Sequence, residues 1–524
     1  MKNFIILALA CSLFACNSEN SGLPTQVGGN YQPESFNFHE ILSVDGNVKT
    51  YFFEWEDSSN ASYYTLCEKN NNYKDNCNII QDNLNGLSTQ YELSTLLTPK
   101  FLDKEFFIIA RNGNNIKLSN VRSVNQDEYL KSIGVVKSSN AKDNDYFGRS
   151  VSFSEDGNTL SIGAFGVDGL KGKVYIYQKK DNLWEQRVEL SPDDLEAGDR
   201  FGISNAISKD GKTLVVGADH HNYNPLSEVG KPGKAYVYHN VADSWVFDRI
   251  LTRGVNDDSF GLYISISDNG STIAIASPGE NNDIGNVYLY TNDGGVWSDK
   301  SLAPSHTDPY GPNRFGSSVS LSSNGNVVAI GAVGESLDSS HTNLGGVYIF
   351  KKQMGNWEEK TRLELPSTIS GQQYHFGYSV SLDNTGATLA IGSPEEGSLG
   401  AVYIFKESND SWSQVEKVQH PSLQNGDQFG YRVKLSGDAN SLIIGAFTDN
   451  SGDIFLDDNL VENSGAVYFY KKENDFWFFD SYIKSPKNQE DGHFGLGLDI
   501  SDDGSQMFIG ARRESNGQGK VYLY

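Results

Sequence analysis

Basic residues, histidines and long apolar runs are scarce in this sequence, and each scarcity excludes a class of function or structure. Lysine and arginine total 42 against 67 acidic residues, which gives a formal net charge of −25. Such a chain repels the phosphates of DNA and RNA, so nucleic acid is excluded as a partner. The acidic residues are scattered and are typical of a solvated surface, although they can also attract cations.

Linear signatures of catalysis are also missing. The chain has no Gly-x-Ser-x-Gly elbow, no His-Glu-x-x-His pair and no phosphate-binding loop. The histidines are dispersed, and the adjacent pair His220-His221 has no further ligand at a spacing typical of a metal site. We interpret that pair as part of a solvated loop and expect no enzyme.

Glycine is abundant, with 53 residues, and aromatic residues make up 12% of the chain. This composition favours an all-β protein with many tight turns over a helical one. Beyond the N-terminal segment, no stretch is long and apolar enough to suggest a membrane-spanning helix.

The N-terminal segment predicts an export signal. An apolar run from Phe4 to Ala15 follows Lys2 and has the length of a signal-peptide h-region. It ends in Leu-Phe-Ala-Cys16, which resembles a bacterial lipobox. The resemblance implies removal of residues 1–15 and lipidation of Cys16. The earlier Cys11 is a poorer match because it leaves a very short apolar run, and the alternative is an ordinary signal peptide with an incidental cysteine.

Residues 16–35 are polar and rich in Gly, Pro, Ser and Asn, which predicts a flexible tether. Asn17 stands where an Asp would direct enteric-type lipoproteins to the inner membrane. We therefore expect a lipid anchor in the bacterial cell envelope, at the outer membrane. The sequence leaves open whether the protein faces the cell surface or the periplasm.

Residues 36–126 predict a small β-sandwich. Alternating stretches at 51–55, 61–66, 90–93 and 105–110 are separated by Gly, Asn and Asp clusters. Their order resembles a fibronectin type III module, with Trp55 and then Tyr63 or Tyr64 in the core and a Tyr91-x-Leu93 corner. Cys67 and Cys77 form an isolated pair in a chain bound for an oxidising compartment, so we expect a disulfide between them.

The rest of the chain is repetitive. A Phe-Gly pair recurs at intervals of 53 to 65 residues, the size of a propeller blade with its loops. Each pair precedes an alternating stretch, a turn that is commonly Asp-Gly or Asn-Gly, a strand ending in two small residues, and a third strand after a glycine. The pairs begin at Phe147, Phe201, Phe260, Phe315, Phe376, Phe429 and Phe494.

A tryptophan marks the fourth strand in six of these seven repeats, and the last repeat stops at Tyr524 after its third strand. Residues 129–138, just before the first Phe-Gly, supply the missing strand in our prediction. Their pairing with the last repeat would close the ring and hide the sheet edges. The predicted fold over residues 127–524 is a seven-bladed β-propeller.

These repeats resemble the FG-GAP family of integrin α-chain propellers, in which loops at the tops of the blades make protein contacts. Calcium-binding members carry an Asp-rich turn between the first two strands, but here the turn shrinks to forms such as Ser154-Glu155-Asp156-Gly157. We therefore expect no cofactor. The acidic loop 449–458 offers Asp449, Asp453 and Asp457 as weak calcium ligands, and the alternative is a solvated insertion.

The residues that precede the Phe-Gly pairs differ in type while the framework repeats. A binding face grafted onto a scaffold has this pattern, although simple tolerance at loop ends explains it too. The speculative ligand-binding ring consists of Tyr146, Arg200, Ser259, Arg314, His375, Gln428 and His493.

The combined prediction is a membrane-anchored surface lipoprotein that binds a protein ligand through propeller loops, as in adhesion. A lectin-like propeller that binds a glycan and a periplasmic scaffold for outer-membrane assembly are the alternatives. A propeller hydrolase or lyase is less favoured, although propeller enzymes often lack a linear motif.

Overall fold

The computed structural model describes residues 32–43, 49–70, 77–92, 98–155, 157–180, 183–220, 231–255, 258–306, 311–336, 338–339, 342–365, 373–452 and 460–524. The described part is all-β, as predicted, and consists mainly of four-stranded antiparallel sheets. Among the described residues, no helix is both long enough and apolar enough to span a membrane. Cys16 and most of the predicted tether lie outside the described residues.

The strands that precede the repeats are β1 (Phe38–Ser43), β2 (Thr50–Trp55), β3 (Tyr63–Lys69), β4 (Cys77–Leu84), β5 (Ser88–Glu92), β6 (Glu105–Asn112), β7 (Asn115–Leu118) and β8 (Arg122–Ser123), with a 3-10 helix at Pro99–Asp103. One sheet has the order β1-β2-β5, and the other has the order β4-β3-β6-β7 with β8 paired to β6. The helix α1 (Gln126–Ser132) and strand β9 (Gly134–Val136) follow.

The repeats form seven four-stranded sheets in the described part of the chain. Sheet 1 holds β10 (Ser150–Phe153), β11 (Thr159–Ala164), β12 (Lys173–Lys180) and β13 (Leu183–Leu190); sheet 2 holds β14 (Ser204–Ile207), β15 (Thr213–Ala218), β16 (Lys234–Val241) and β17 (Ser244–Leu251); sheet 3 holds β18 (Ile264–Ile266), β19 (Thr272–Ser277), β20 (Asn286–Asp293) and β21 (Val296–Leu302). Sheet 4 holds β22 (Phe315–Leu321), β23 (Val327–Ala332), β24 (Gly346–Gln353) and β25 (Asn356–Leu363); sheet 5 holds β26 (Ser379–Leu382), β27 (Thr388–Ser393), β28 (Ala401–Ser408) and β29 (Ser411–Val418). Sheet 6 holds β30 (Arg432–Leu435), β31 (Ser441–Ala446), β32 (Ala466–Glu473) and β33 (Phe476–Ile483); sheet 7 holds β34 (Phe494–Ile500), β35 (Met507–Ala511) and β36 (Lys520–Leu523), with β9 as its fourth strand.

Short turns follow the second strand in several sheets. They comprise α2 (Val167–Leu170), α3 (Glu280–Asp283), a 3-10 turn at Glu396–Ser398 and α4 (Glu514–Gly517). Each contains left-handed residues, so none is a regular helix.

Strand β9 is shorter than the predicted strand 129–138. It pairs antiparallel with β36, with Val136 opposite Val521. The first part of the predicted strand is wrong, because residues 129–132 belong to α1. The side chain of Asn125 caps this helix by accepting the Glu128 N–H at 3.0 Å, which favours a helical start over an extended chain.

The chain divides into two compact units. One contains the described residues up to Phe38, together with Trp55–Leu87 and Phe107–Val121. In it the rings of Trp55 and Tyr64 lie 5.6 Å apart, and the predicted Cys67–Cys77 disulfide is present. Tyr64, rather than Tyr63, is the buried tyrosine of the predicted pair. Leu93 of the predicted corner lies outside the described residues.

The other unit contains His39–Glu54, Ser88–Phe106 and Arg122–Tyr524. Its apolar clusters lie between neighbouring repeat sheets. Val174 of sheet 1 packs with Leu214 of sheet 2, and Val521 of sheet 7 packs with Val151 of sheet 1. A fully buried side chain of this size contributes roughly 1.5–3 kcal/mol. A single sandwich module over residues 36–126 stays a prediction.

The innermost strands of successive sheets also touch one another. Contacts run through β10, β14, β18, β22, β26, β30 and β34, and β34 contacts β10 again. The sheets therefore form a closed series, which is consistent with a β-propeller.

Candidate functional site

The seven innermost strands enclose a channel with two cavities. The first, of about 170 Å³, is lined by the beginnings of these strands, and the second, of about 160 Å³, is lined by their ends and the following turns. Every innermost strand contributes to both cavities, so residues at equivalent repeat positions meet across the channel.

The predicted ring residues share an unusual backbone conformation at the entry to the innermost strands. All seven have a positive φ, between 50° and 59°. For residues other than glycine this conformation costs roughly 1–2 kcal/mol each. Because the strain recurs in every repeat, it belongs to the turn that leads into Phe-Gly and does not mark one position as functional.

The side chains of the ring residues contact the loops that follow the second strands. Arg200 forms a bidentate pair with Asp219, with distances of 2.9 and 2.6 Å. His375 Nδ1 lies 3.2 Å from a carboxylate oxygen of Glu395. The hydroxyl of Thr448 donates to Gln428 at 3.5 Å.

Aromatic contacts connect two further ring positions to their surroundings. The Tyr146 ring stacks on Phe165 with a centroid distance of 5.0 Å, and the Arg200 guanidinium lies 5.6 Å from the same Phe165 ring. His493 is buried, with its ring 5.0 Å from Phe447. Tyr146 and Arg200 therefore share a neighbour, but the seven residues do not form a continuous cluster among the described side chains.

Ser259 is half-buried and Arg314 is exposed. Neither makes a side-chain hydrogen bond or ion pair with another residue in the described ranges.

The residues that line the first cavity lie one to four positions after Phe-Gly, not before it. Arg149, Tyr263, Tyr378 and Arg432 line it, while Tyr431 flanks it. The Arg432 guanidinium lies 5.1 Å from the Tyr431 ring centroid and 5.9 Å from that of Tyr263. Tyr431 packs on Tyr378, with the ring centroids 4.5 Å apart. We call Arg149, Tyr263, Tyr378, Tyr431 and Arg432 the arginine–tyrosine cluster.

Arg512 extends the positive charge of this region. Its guanidinium lies 5.8 Å from the Tyr146 ring, and its buried Nε has no hydrogen-bond acceptor among the described residues. Burial, and then the charge of Arg149, lower the pKa of Arg512 to about 9. Burial and then Arg432 lower the pKa of Arg149. Although burial acts in the opposite direction, Arg432 and its neighbours lower the pKa of Tyr431.

A signal for this cluster is present in the sequence. Arg149, Tyr378 and Tyr431 directly follow a Phe-Gly pair, and Tyr263 and Arg432 follow one residue later. Arginine and tyrosine are therefore concentrated at the start of the innermost strands.

The opposite end of the channel is joined by hydrogen bonds between turns of successive sheets. The equivalent turn residues that line the second cavity are Glu155, Lys209, Asp268, Ser323, Asn384, Gly437 and Asp502. Main-chain bonds run from Glu155 N to Lys209 O at 3.0 Å and from Asp268 N to Ser323 O at 3.0 Å, and similar bonds join the following sheets. These bonds give this end a structural role.

Lys209 crosses this end of the channel. Its ammonium donates to Asn384 Oδ1 at 2.8 Å and to a carboxylate oxygen of Asp502. Asn384 in turn donates to Asp502 at 2.9 Å. Donors and acceptors from sheets 2, 5 and 7 therefore already satisfy one another here.

The turns between the first two strands of these repeats are closed by side-chain hydrogen bonds. The hydroxyl oxygen of Ser208 accepts the N–H of Thr213 at 2.9 Å, and Ser436 accepts that of Ser441 at 2.9 Å. In the described ranges, no group of three or more His, Cys, Asp or Glu side chains is arranged to hold a metal ion.

Asp449, the described member of the predicted calcium candidates, is buried. Its carboxylate accepts the Tyr482 hydroxyl at 2.8 Å, the Tyr468 hydroxyl at 3.2 Å and the Lys484 ammonium at 3.1 Å. Its oxygens are therefore engaged by donors of the protein itself. Asp453 and Asp457 lie outside the described residues.

A protein-family model matches part of the repeat region. The FG-GAP repeat family model matches residues 135–177, 184–238 and 412–470. Each match runs from the outermost strand of one sheet to the third strand of the next. Together with the four-stranded sheets, these matches support an FG-GAP β-propeller, a fold that often serves as a binding module.

Two solved structures are among those similar to this chain. Hydrazine synthase of Kuenenia stuttgartiensis is 14% identical with a TM-score of 0.39, and the match covers 65% of this chain and 88% of that one. A provisionally assigned 6-phosphogluconolactonase of Bacteroides fragilis is 13% identical with a TM-score of 0.44, covering 69% and 92% of the two chains. At these scores neither similarity bears on the function of this chain.

Proposed function

We propose that this protein is a lipid-anchored protein of the bacterial cell envelope whose seven-bladed FG-GAP propeller binds a ligand and catalyses no reaction. The ligand contacts the end of the channel that carries the arginine–tyrosine cluster. The lipid on Cys16 anchors the protein, and the tether and a fibronectin-like module at 36–126 give it reach.

The difference between the two ends of the channel supports this proposal. At one end, turn residues bond to one another across the sheets, and Lys209 is already paired with Asp502. At the other end, Arg149 lines a cavity and forms no hydrogen bond or ion pair through its guanidinium within the described part of the chain. Arginine and tyrosine are enriched at recognition surfaces, and the guanidinium of Arg149 is available to a ligand there.

An array experiment tests the binding function. The full chain is applied to arrays of glycans and of cell-surface proteins, with and without a calcium chelator. We expect selective binding to one class that survives chelation. The variant Tyr378→Ala should lose this binding, whereas Arg187→Ala, at an exposed pair with Glu185, should retain it. Binding to neither class would contradict the proposal and favour a periplasmic scaffold.

A labelling experiment tests the anchor. Cells that express the protein are fed a radiolabelled fatty acid, and the label should appear on the protein. The variant Cys16→Ser should abolish labelling and release the protein from the membrane fraction, whereas Cys11→Ser should change neither. Labelling that persists in Cys16→Ser would refute the predicted lipidation site.

A further inference from the structure

We propose that the first cavity binds an oxyanion, namely a carboxylate, sulfate or phosphate group, between Arg149 and Arg432. The inference rests on the proposed binding function and specifies the chemistry of the ligand group that enters the channel.

The lining of the cavity provides positive charge without a matching negative charge. Arg149 and Arg432 line it, and none of its lining residues is an aspartate or glutamate. The third cation in the lining, Lys434, is already paired, with its ammonium 3.4 Å from Asp499. Like charges confined at one site repel each other, so an anion placed between the two guanidinium groups is electrostatically favoured.

Several other arginines in the repeats have acidic partners. Arg200 pairs with Asp219, Arg253 with Asp299, and Arg362 with Glu335. In a chain with 67 acidic residues against 42 basic ones, a cluster of arginines without carboxylates is an exception. These arginines, without acidic partners in the described part of the chain, line the channel, where a ligand can reach them.

The aromatic neighbours hold a guanidinium ready for an anion. Arg432 lies over the rings of Tyr431 and Tyr263, and its Nη1 donates to the Tyr431 carbonyl at 3.2 Å. Arginine has five N–H donors arranged as a fork, so further donors remain for the two oxygens of a carboxylate, sulfate or phosphate. Contacts to the rings restrict the side chain before the ligand arrives and reduce the entropy lost on binding.

The size of the cavity limits what can enter. A volume of about 170 Å³ admits a group of a few heavy atoms but no folded domain. The oxyanion therefore comes either from a free small ion or from an acidic group on a larger ligand. Both sources offer the same chemistry to the two guanidinium groups.

Anion titration of the full chain tests the inference. Sodium sulfate or sodium phosphate is added to the protein in increasing amounts. Binding is followed by the rise in melting temperature and by calorimetry, with sodium chloride at matched ionic strength as the baseline. We expect saturable binding to the wild type. Because each variant removes hydrogen bonds from a charged donor to the anion, Arg149→Gln and Arg432→Gln should each weaken binding by roughly tenfold or more. Arg187→Gln should match the wild type.

The conservative variant Arg432→Lys tests whether a loss of binding in Arg432→Gln comes from misfolding. It retains the charge but loses the fork, so its affinity should lie between those of the wild type and Arg432→Gln. A wild type that responds to sulfate no more than to chloride, or glutamine variants that bind as the wild type does, would overturn the inference.

The array and the titration separate the two proposals. Suppose that an array ligand binds the wild type, Arg149→Gln and Arg432→Gln equally, and that the wild type binds no sulfate. This result would refute the oxyanion site and leave the binding function intact. Saturable sulfate binding without any array ligand would support the site and identify a free ion as its source. Competition between sulfate and an array ligand would support an acidic group on that ligand.

Discussion

The backbone N–H of Asp502 donates to the carboxylate of Glu155, with 3.1 Å to each oxygen. The two residues are 347 positions apart in the chain, and their contact joins sheet 7 to sheet 1. At the other junctions, equivalent turns are joined by main-chain bonds, such as Asn384 N to Gly437 O at 3.0 Å. A side chain therefore supports the junction where the two ends of the repeat series meet.

Replacing Glu155 by Ala should weaken this junction. We expect the free energy of unfolding to fall by about 1 kcal/mol, because one hydrogen-bonded contact at the end of the channel is lost. Glu155→Gln, which keeps an acceptor oxygen, should lose less. Chemical denaturation measures both, and an Ala variant as stable as the wild type would show that the contact is not needed for closure.

Gly510→Ala should destabilise the same junction. A Cβ on Gly510 would lie 2.1 Å from the carbonyl oxygen of Gly148, so the backbones of sheets 7 and 1 must move apart. Overpacking of this kind costs about 1–3 kcal/mol. Gly311→Ala is the matched control, because the nearest atom to its Cβ would be 3.8 Å away. Equal melting temperatures for the two variants would argue against close packing at Gly510.

Lys484→Met should destabilise sheet 6 strongly. The Lys484 side chain is 0% exposed and that of Asp449 is 2% exposed, with 3.1 Å between their charged atoms. Removing one partner leaves a buried charge without compensation, which costs about 3–5 kcal/mol. The exposed pair of Lys406 and Asp475 provides the control, since Lys406→Met should change stability by less than about 0.5 kcal/mol. A loss of similar size in both variants would contradict this account.

His493 should make the protein less stable in acid. Burial, followed by the charges of Arg512 and Arg513, lowers the pKa of His493 to about 4. The folded state therefore favours neutral His493. The stability that neutral His493 contributes to the folded state is fully present above a pH of about 6.5, the pKa of histidine in the unfolded chain. It is lost as the pH falls towards 4.

Integrated over this window, the pKa difference corresponds to on the order of 3 kcal/mol. Denaturation curves between pH 7 and pH 4 give the free energy of unfolding at each pH. This free energy should depend less steeply on pH in His493→Gln than in the wild type. His39→Gln, at an exposed position, is the control. An unchanged slope in His493→Gln would indicate that other groups cause the acid sensitivity.

Local sequence signals located much of the architecture. The Phe-Gly pairs, glycine turns and small residues are determined by requirements within one repeat: a positive φ, a tight hairpin, or space for a neighbouring backbone. The strand predicted at 129–132 is a helix in the structure. There Asn125 and Glu128 form a helix start signal that outweighs the apolar pattern of the segment.

The predicted ligand-binding ring lies before each Phe-Gly pair, whereas the residues that line the channel lie after it. The ring stays a prediction. Successive side chains in a strand point to opposite faces, so an error of one residue in the phase of the strand exchanges the inner and outer faces. The left-handed residue before the phenylalanine and the glycine after it turn the chain before the strand begins. Which side chains of the strand then face the channel cannot be read from the sequence.

The sequence by itself determined the all-β class, the repeat positions and the Cys67–Cys77 pair, because each depends on residues close together in the chain. Only the tertiary structure decided that Arg149 and Arg432 line one cavity and that Lys209 reaches Asp502. These residues come from different repeats, and their distances depend on how the sheets pack around the channel, which no local pattern encodes.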